Sequence, residues 1–315
     1  MSIFRSRRFQ EIVGGALVLA VFVLPVFVWA GNTKKVYVDA SVTGVQDGSI
    51  NHPYKTITEA LDRVNDDDKV YVAAGVYEEN IEIPYSVKVF GADEDTTIIK
   101  AADKDKPAVI MHNKTTLDKF TVKGGNHGVY VSRWSSADII HCIVRDSEKD
   151  GIHVRNANIA DKFTVSIVKS EIKNNDRAGI FSEKHKLVIT ETEVHDNGSD
   201  GADIATGSKA WIDDNTFRDN DGSGLKVSLD NSSIFVASKN TFRDNNHEGI
   251  EVNAYGQAGT VSVKKSKFIN NQKYGIARID RSANVSINVW KGLTETDNTF
   301  TSNNRGNVSP VLHIQ

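Results

Sequence analysis

Three segments decide the fold: Glu193-Val194-His195-Asp196-Asn197-Gly198-Ser199-Asp200-Gly201-Ala202, Thr216-Phe217-Arg218-Asp219-Asn220-Asp221-Gly222-Ser223-Gly224-Leu225 and Thr241-Phe242-Arg243-Asp244-Asn245-Asn246-His247-Glu248-Gly249-Ile250. They are one phrase written three times. An apolar side chain is followed three residues later by asparagine, and four residues after that by glycine and an apolar residue. Outward from these segments the glycine–apolar pair recurs at Gly128-Val129, Gly151-Ile152, Gly179-Ile180, Gly201-Ala202, Gly224-Leu225, Gly249-Ile250 and Gly275-Ile276. The spacings between these glycines are 23, 28, 22, 23, 25 and 26 residues. A coiled coil or a strict helical solenoid keeps a constant period. A varying one fits stacked coils whose strands are fixed and whose turns differ in length.

The asparagines Asn175, Asn197, Asn220, Asn245 and Asn271 all stand four residues before their glycine, and Ile172, Val194, Phe217, Phe242 and Phe268 stand three before each asparagine. In parallel coils equivalent residues lie about 4.8 Å apart. Aligned asparagines can then pass amide hydrogen bonds along a ladder, and aligned phenylalanines can stack as a continuous core. The glycine is expected to supply a positive φ or a tight bend into the next strand. Val165-Ser166-Ile167, Leu187-Val188-Ile189, Ile234-Phe235-Val236, Val261-Ser262-Val263 and Val285-Ser286-Ile287 read as strands, with Asn, Asp, Ser and Gly between them as turns. No helical period survives beyond residue 70. One helix is expected before it, where Thr56-Ile57-Thr58-Glu59 is a capping box and Ile57, Ala60, Leu61 and Val64 form one apolar stripe. Such a helix can close the open end of a coil stack. The fold class is therefore all-β: a right-handed parallel β-helix over residues 34–315, a single-stranded solenoid with three parallel sheets and a short N-terminal capping helix.

Composition excludes some functions. With 38 Lys+Arg against 41 Asp+Glu the formal net charge is -3, which leaves no basic face for phosphates and argues against nucleic acid as a partner. Residues 1–30 read as a signal peptide: Arg5, Arg7 and Arg8 precede the apolar run Ile12 to Trp29, and Val28-Trp29-Ala30 suits cleavage after Ala30. The alternative is an uncleaved anchor at residues 12–30, the only membrane contact the sequence offers. The expected location is secreted, periplasmic or cell-surface. The single cysteine, Cys142, sits in the apolar run Ile139-Ile140-His141-Cys142-Ile143. It reads as a core residue rather than a nucleophile.

The start of this chain, Val36-Tyr37-Val38-Asp39, Asp47-Gly48-Ser49 and Pro53-Tyr54-Lys55-Thr56-Ile57-Thr58-Glu59-Ala60-Leu61, resembles the start of pectate-lyase-like β-helix proteins. So does the run from Val70 to Asn80, and the Asn-x-x-x-Gly-Ile coils resemble the parallel β-helix repeats of that superfamily. The resemblance covers roughly residues 34 to 305 and is specific for fold rather than activity. It implies polysaccharide lyases, galacturonases, methylesterases, uronate epimerases and phage tailspikes as relatives, beside proteins without known activity. The Gly-His-Gly of polygalacturonases, the Asp-Pro-His-Asp of mannuronan epimerases and the Leu-Gly-Arg-Pro-Trp of methylesterases are absent from this sequence.

On a strand alternate residues face outward. If the residue after the glycine points inward, the next one points out, giving the column Tyr130, His153, Phe181, Asp203, Lys226, Glu251 and Ala277. A second column follows at Ser132, Arg155, Glu183, Ala205, Ser228, Asn253 and Ile279. Aromatic groups such as Tyr130 and Phe181 are expected to stack on sugar rings, with Lys226 pairing with uronates. His153, Arg155, Asp203, Lys226 and Glu251 are candidates for acid–base work. The plain reading is that Asp203, Lys226 and Glu251 alternate in sign only as a solvated charge ladder. Lys226 between Asp203 and Glu251 is expected to hold both ionised. A further set at the turns, Arg145, Lys173, His195, Arg218 and Arg243 beside Asp146, Asp196, Asp219 and Asp244, reads as a solubilising edge. Ca²⁺ enters only through the resemblance. No compact Asp-x-Asp-x-Asp-Gly loop backs it, and no metal ligand set is read from spacing. Two functions stay open. One is a surface protein binding extracellular polysaccharide without a catalytic signature. The other is a lyase, hydrolase or epimerase acting on an acidic polysaccharide.

Overall fold

The computed structural model describes residues 33–157, 162–282, 285–287 and 297–313; the expected signal peptide at 1–30 lies outside them. Each coil between the two end coils contributes one strand to each of three parallel, 10-stranded sheets. Sheet 1 runs from Lys35–Val38 to Thr260–Lys264, sheet 2 from Gly75–Glu78 to Thr299–Thr301, and sheet 3 from Ile81–Ile83 to Gly306–His313. Ten rungs at this spacing span on the order of 45 Å. The strands alternate buried and half-buried residues, as in Lys209–Asp213 of sheet 1. Val36, Val70, Val89, Leu117, Ile167, Ile189 and their equivalents fill the interior.

The coils are closed by two polar ladders, only one of which was expected. At the turn from sheet 2 to sheet 3, the backbone N–H and side-chain Nδ2 of Asn175 both donate to Asn197 Oδ1, at 3.2 and 2.9 Å. The same double bond repeats from Asn197 to Asn220, Asn220 to Asn245, Asn245 to Asn271 and Asn271 to Asn303. All five expected asparagines are buried and in register. At the turn from sheet 1 to sheet 2 a second ladder runs through Ser170, Thr192, Asn215, Asn240, Ser266 and Asn298, each backbone N–H donating to the next side-chain oxygen.

The chain bends one residue before each ladder member. Asn174, Asp196, Asp219, Asp244, Asn270 and Ser302 have φ of 54, 52, 54, 58, 55 and 55°. The first turn uses Lys169, Glu191, Asp214, Lys239, Lys265 and Asp297 in the same left-handed conformation. This corrects the role expected of the repeat glycines, since none of Gly128, Gly151, Gly179, Gly201, Gly224, Gly249 and Gly275 is among the residues with positive φ. They are needed for space: a Cβ on Gly224 would lie 2.8 Å from Asn245 Nδ2 and 3.0 Å from Phe242 Cδ1. At the turn from sheet 2 to sheet 3 the bend falls mostly to Asp and Asn, which tolerate the left-handed region, whereas the other turn also places Lys and Glu there.

The helix forms as its capping box predicts. α1 spans Ile57–Leu61, and Thr56 Oγ1 accepts from Glu59 N at 3.2 Å. Its free N–H groups at Ile57 and Thr58 donate to the Glu79 carboxylate from the neighbouring coil, so the helix is tied to the stack it covers. One strand departs from expectation: Ser286–Ile287 pairs with Gln257–Ala258 in a separate two-stranded sheet rather than extending sheet 1. Cys142 is buried and its thiol donates to backbone carbonyls, with burial pushing its pKa up to about 12. It is a core residue. Among the described residues no helix is long and apolar enough to cross a membrane.

Candidate functional site

The outward column lies on sheet 3 in the expected register. Tyr130 pairs with His153, His153 with Phe181, Phe181 with Asp203, Asp203 with Lys226, Lys226 with Glu251 and Glu251 with Ala277. A second column, missed in the sequence, flanks it. It consists of the residues immediately before the repeat glycines: His127, Asp150, Ala178, Asp200, Ser223 and Glu248. Asp150, Asp200 and Ser223 reach across to His153, Lys226 and Glu251 of the first column. The signal was present as a fixed offset from glycine, but the residue types vary too widely for sequence alone to mark them as a set.

The lower part of the face is built on aromatic rings. His153 lies parallel to Tyr130, with centroids 5.4 Å apart and 1° between planes, and within 5.0 Å and 20° of Phe181. His153 is thus covered on both ring faces, while Tyr130 and Phe181 each stack on it through one face. Arg155 donates to Tyr130 Oη at 3.1 Å. Asp150 Oδ2 bonds His153 Nδ1 at 2.8 Å and lies 3.5 Å from His127 Nδ1. Burial, with the nearby His153 and Lys149, outweighs Asp150 and brings the His127 pKa down to about 4.

Two rungs on, Lys226 Nζ lies 2.9 Å from Asp203 and 3.6 Å from Asp200. Asp200 Oδ1 also accepts from Ser223 N at 2.8 Å. Burial, with the charges of Asp203 and Glu251, nonetheless raises the Asp200 pKa above the ordinary carboxylate value. Lys226 is shifted upward: its burial works against the charge, but the hydrogen bond to Asp203 and the surrounding carboxylates outweigh it. Lys226 is paired with Asp203 and Asp200, and Glu251 acts on it only through the attraction of its charge. Glu251 turns toward Asn253 at 2.7 Å and Arg281 at 3.8 Å. Glu251, Asn253 and Ala277 are buried, so the open part of the column ends near Lys226.

Between the His153 and Asp203 rungs lies a groove of about 460 Å³ lined by Asp150, His153, Arg177, Ala178, Phe181, Ser199 and Asp203. Ala178 makes it possible. It is the smallest side chain of the flanking column, set between Asp150 and Asp200. Glu183 and Ser132 of the second expected column take no part in this lining.

The turn charges pair among themselves. Arg145 bonds Asp146, Arg218 bonds Glu193 and Asp219, Arg243 bonds Asp244, Lys173 bonds Glu171, and His195 bonds both Asp196 and Glu171. Each of the carboxylates Asp146, Asp196, Asp219 and Asp244 already has a cationic or imidazole partner.

A parallel β-solenoid of ten rungs, with a polar groove on the outer face of one sheet, is the class that fold and site define together. The chain belongs to the right-handed β-helix family: the family described as "Right handed beta helix region" matches residues 127–289. The structure is similar to pectate lyase Pel9A, with TM-score 0.60 and 14% identity, covering 81% of this chain and 78% of that one. It is similar to XylC in its complex with xylose, with TM-score 0.67 and 10% identity over 81% and 68%. The enzymatically active domain of tailspike protein 2 of bacteriophage CBA120 gives TM-score 0.58 and 13% identity over 87% and 47%. At these identities the likeness is one of fold. No curated protein matches the sequence.

Proposed function

We propose that this chain is an exported or surface β-helix protein that binds an extracellular polysaccharide along the outer face of sheet 3, in the groove between His153 and Asp203. The observation that carries the reading is the groove itself. Arg177, Asp150, Asp203 and Ser199 place donors and acceptors around a partly apolar floor of Ala178 and Phe181. Sugar hydroxyls need such paired groups, and the C–H faces of a pyranose need the apolar floor. The groups sit on strands and tight turns, so they are ordered before a ligand arrives. The similar structures, a pectate lyase and XylC in complex with xylose, agree with a carbohydrate ligand.

The test is a glycan array followed by titration of the selected oligosaccharide into Arg177→Ala, Phe181→Ala and Asp203→Ala proteins. Losses of about tenfold or more per variant, with melting unchanged, are expected. Unchanged affinity in the combined variant would move the ligand elsewhere. Export is checked by N-terminal sequencing of released protein, which is expected to begin at Gly31; recovery of the full-length chain only in membranes would favour the anchor at 12–30.

A second reading, an enzyme acting on the bound polysaccharide, rests on Asp200 and Asp203. One is pushed toward its protonated form by burial, the other is paired with Lys226. Neighbouring carboxyls driven apart in this way can divide acid and base roles. Release of reducing or unsaturated ends from uronate polymers, abolished by Asp200→Asn and Asp203→Asn, would favour it over binding alone.

A further inference from the structure

Below the groove, the imidazoles of His127 and His153 both turn Nδ1 toward one oxygen, Asp150 Oδ2, at 3.5 and 2.8 Å. The three side chains offer ligand atoms within 4.8 Å of one another. His127 Nδ1 is buried without a hydrogen-bond partner, an arrangement that native proteins rarely leave in place without a reason. The side chains of His127 and Asp150 are only 12% and 11% exposed. Tyr130 and Phe181 clamp the ring of His153 from its two faces, so its Nδ1 is aimed by the stack.

We propose that His127, Asp150 and His153 form a binding site for a divalent transition-metal cation of the zinc type, with its remaining coordination positions directed to the groove that Asp150 and His153 also line. The class follows from the donors. Two imidazole nitrogens and one carboxylate suit zinc and its neighbours, whereas Ca²⁺ takes six to eight oxygens. Donors bound at about 2.0–2.2 Å in tetrahedral geometry stand roughly 3.3–3.6 Å apart. The His127–Asp150 separation already matches. The His153–Asp150 contact is shorter, a hydrogen bond at 2.8 Å. To bind, the neutral His153 ring gives up its Nδ1 proton to solvent and takes one up at Nε2, a change of tautomer with no net change of charge, and the freed Nδ1 lone pair goes to the metal.

Among the described residues, the two other clusters of similar composition are closed. Both ring nitrogens of His195 are already bonded, to Asp196 and Glu171. Near His247, Glu248 lies by Lys273 and Ser223, and Glu251 by Asn253 and Arg281. The site does not depend on the sugar reading, since it is tested by metal alone.

The full-length protein, stripped with chelator, is titrated with Zn²⁺ by calorimetry and with Co²⁺ by visible absorption. One equivalent is expected to bind, with a Co²⁺ d–d band of low coordination number. His127→Gln, His153→Gln and Asp150→Asn each weaken binding by about tenfold or more while the far-ultraviolet spectrum is retained; His247→Gln binds as the parent does. Absence of saturable binding in the parent would overturn the site. So would one-equivalent binding that survives both His127→Gln and His153→Gln.

Discussion

Asn220 shows how much one repeated residue does. Its Oδ1 accepts two N–H groups from Asn197, and its Nδ2 donates to Asn245 Oδ1 and to the Val194 carbonyl. Asn220→Ala strands these groups in a buried turn, where each unpaired group costs about 1–3 kcal/mol. A loss of roughly 2–4 kcal/mol in denaturant unfolding is expected. Asn304→Ala, which removes a single exposed bond to Gln272, is expected to change stability by less than about 0.5 kcal/mol. Gly224 gives a complementary case. Its backbone would accept any residue, yet a Cβ would meet Asn245, the Gly249 carbonyl and Phe242 within 3.0 Å. Gly224→Ala should therefore cost about 1–3 kcal/mol by overpacking, read from the same unfolding curves.

The strands, the asparagine ladder and the capping helix were legible because each depends on a residue type that recurs at a fixed offset. Phe217, Phe242 and Phe268 stack as that offset required, with centroids 5.2 and 5.1 Å apart, and Phe300 extends the stack at 4.9 Å. Phe300 and Asn303 were missed because the spacing between Asn271 and Asn303, 32 residues, breaks the period. The second ladder was missed for a chemical reason: Ser170, Thr192, Asn215, Asn240, Ser266 and Asn298 all offer an acceptor oxygen, but serine, threonine and asparagine alternate and no one letter marks every rung. The flanking column before the glycines escaped in the same way. At the site, register was legible and orientation was not. That Lys226 chooses Asp200 and Asp203 over Glu251 goes with Asn253, two residues along the same strand, and Arg281, from the next coil, both of which reach Glu251. Phe242→Ala opens a cavity between two stacked rings and is expected to cost about 3–5 kcal/mol, more than Lys226→Ala at the half-buried face. Equal melting shifts for the two would place Phe242 outside the core.

The stack as a whole fixes where charge can be buried, and this gives the protein a pH signature. Asp200 is held above its ordinary pKa chiefly by burial. An acid with a raised folded pKa binds its proton more tightly when folded. The stability it contributes is therefore present at low pH and is lost as pH rises through the raised value. Asp200→Asn keeps the acceptor for Ser223 N without the charge. Its melting temperature should exceed that of the parent most clearly near pH 7, and the difference should shrink toward about pH 4. Carboxyls held low, such as Asp213 by Ser238 and Asp39 by Ser41, titrate alike in both proteins and cancel from the difference. A constant difference across that range would show that Asp200 is not the titrating group.

The ten rungs also set the function proposed for this chain, since they hold one face of sheet 3 as a fixed surface with a groove between His153 and Asp203. Hydroxyl-radical footprinting of the protein, alone and with the oligosaccharide selected on the array, tests this most directly. Protection is expected at Tyr130, His153 and Phe181, with Trp211 on sheet 1 labelled equally in both samples. Protection at Trp211, or none on sheet 3 at saturating ligand, would contradict the assignment of that face to the sugar.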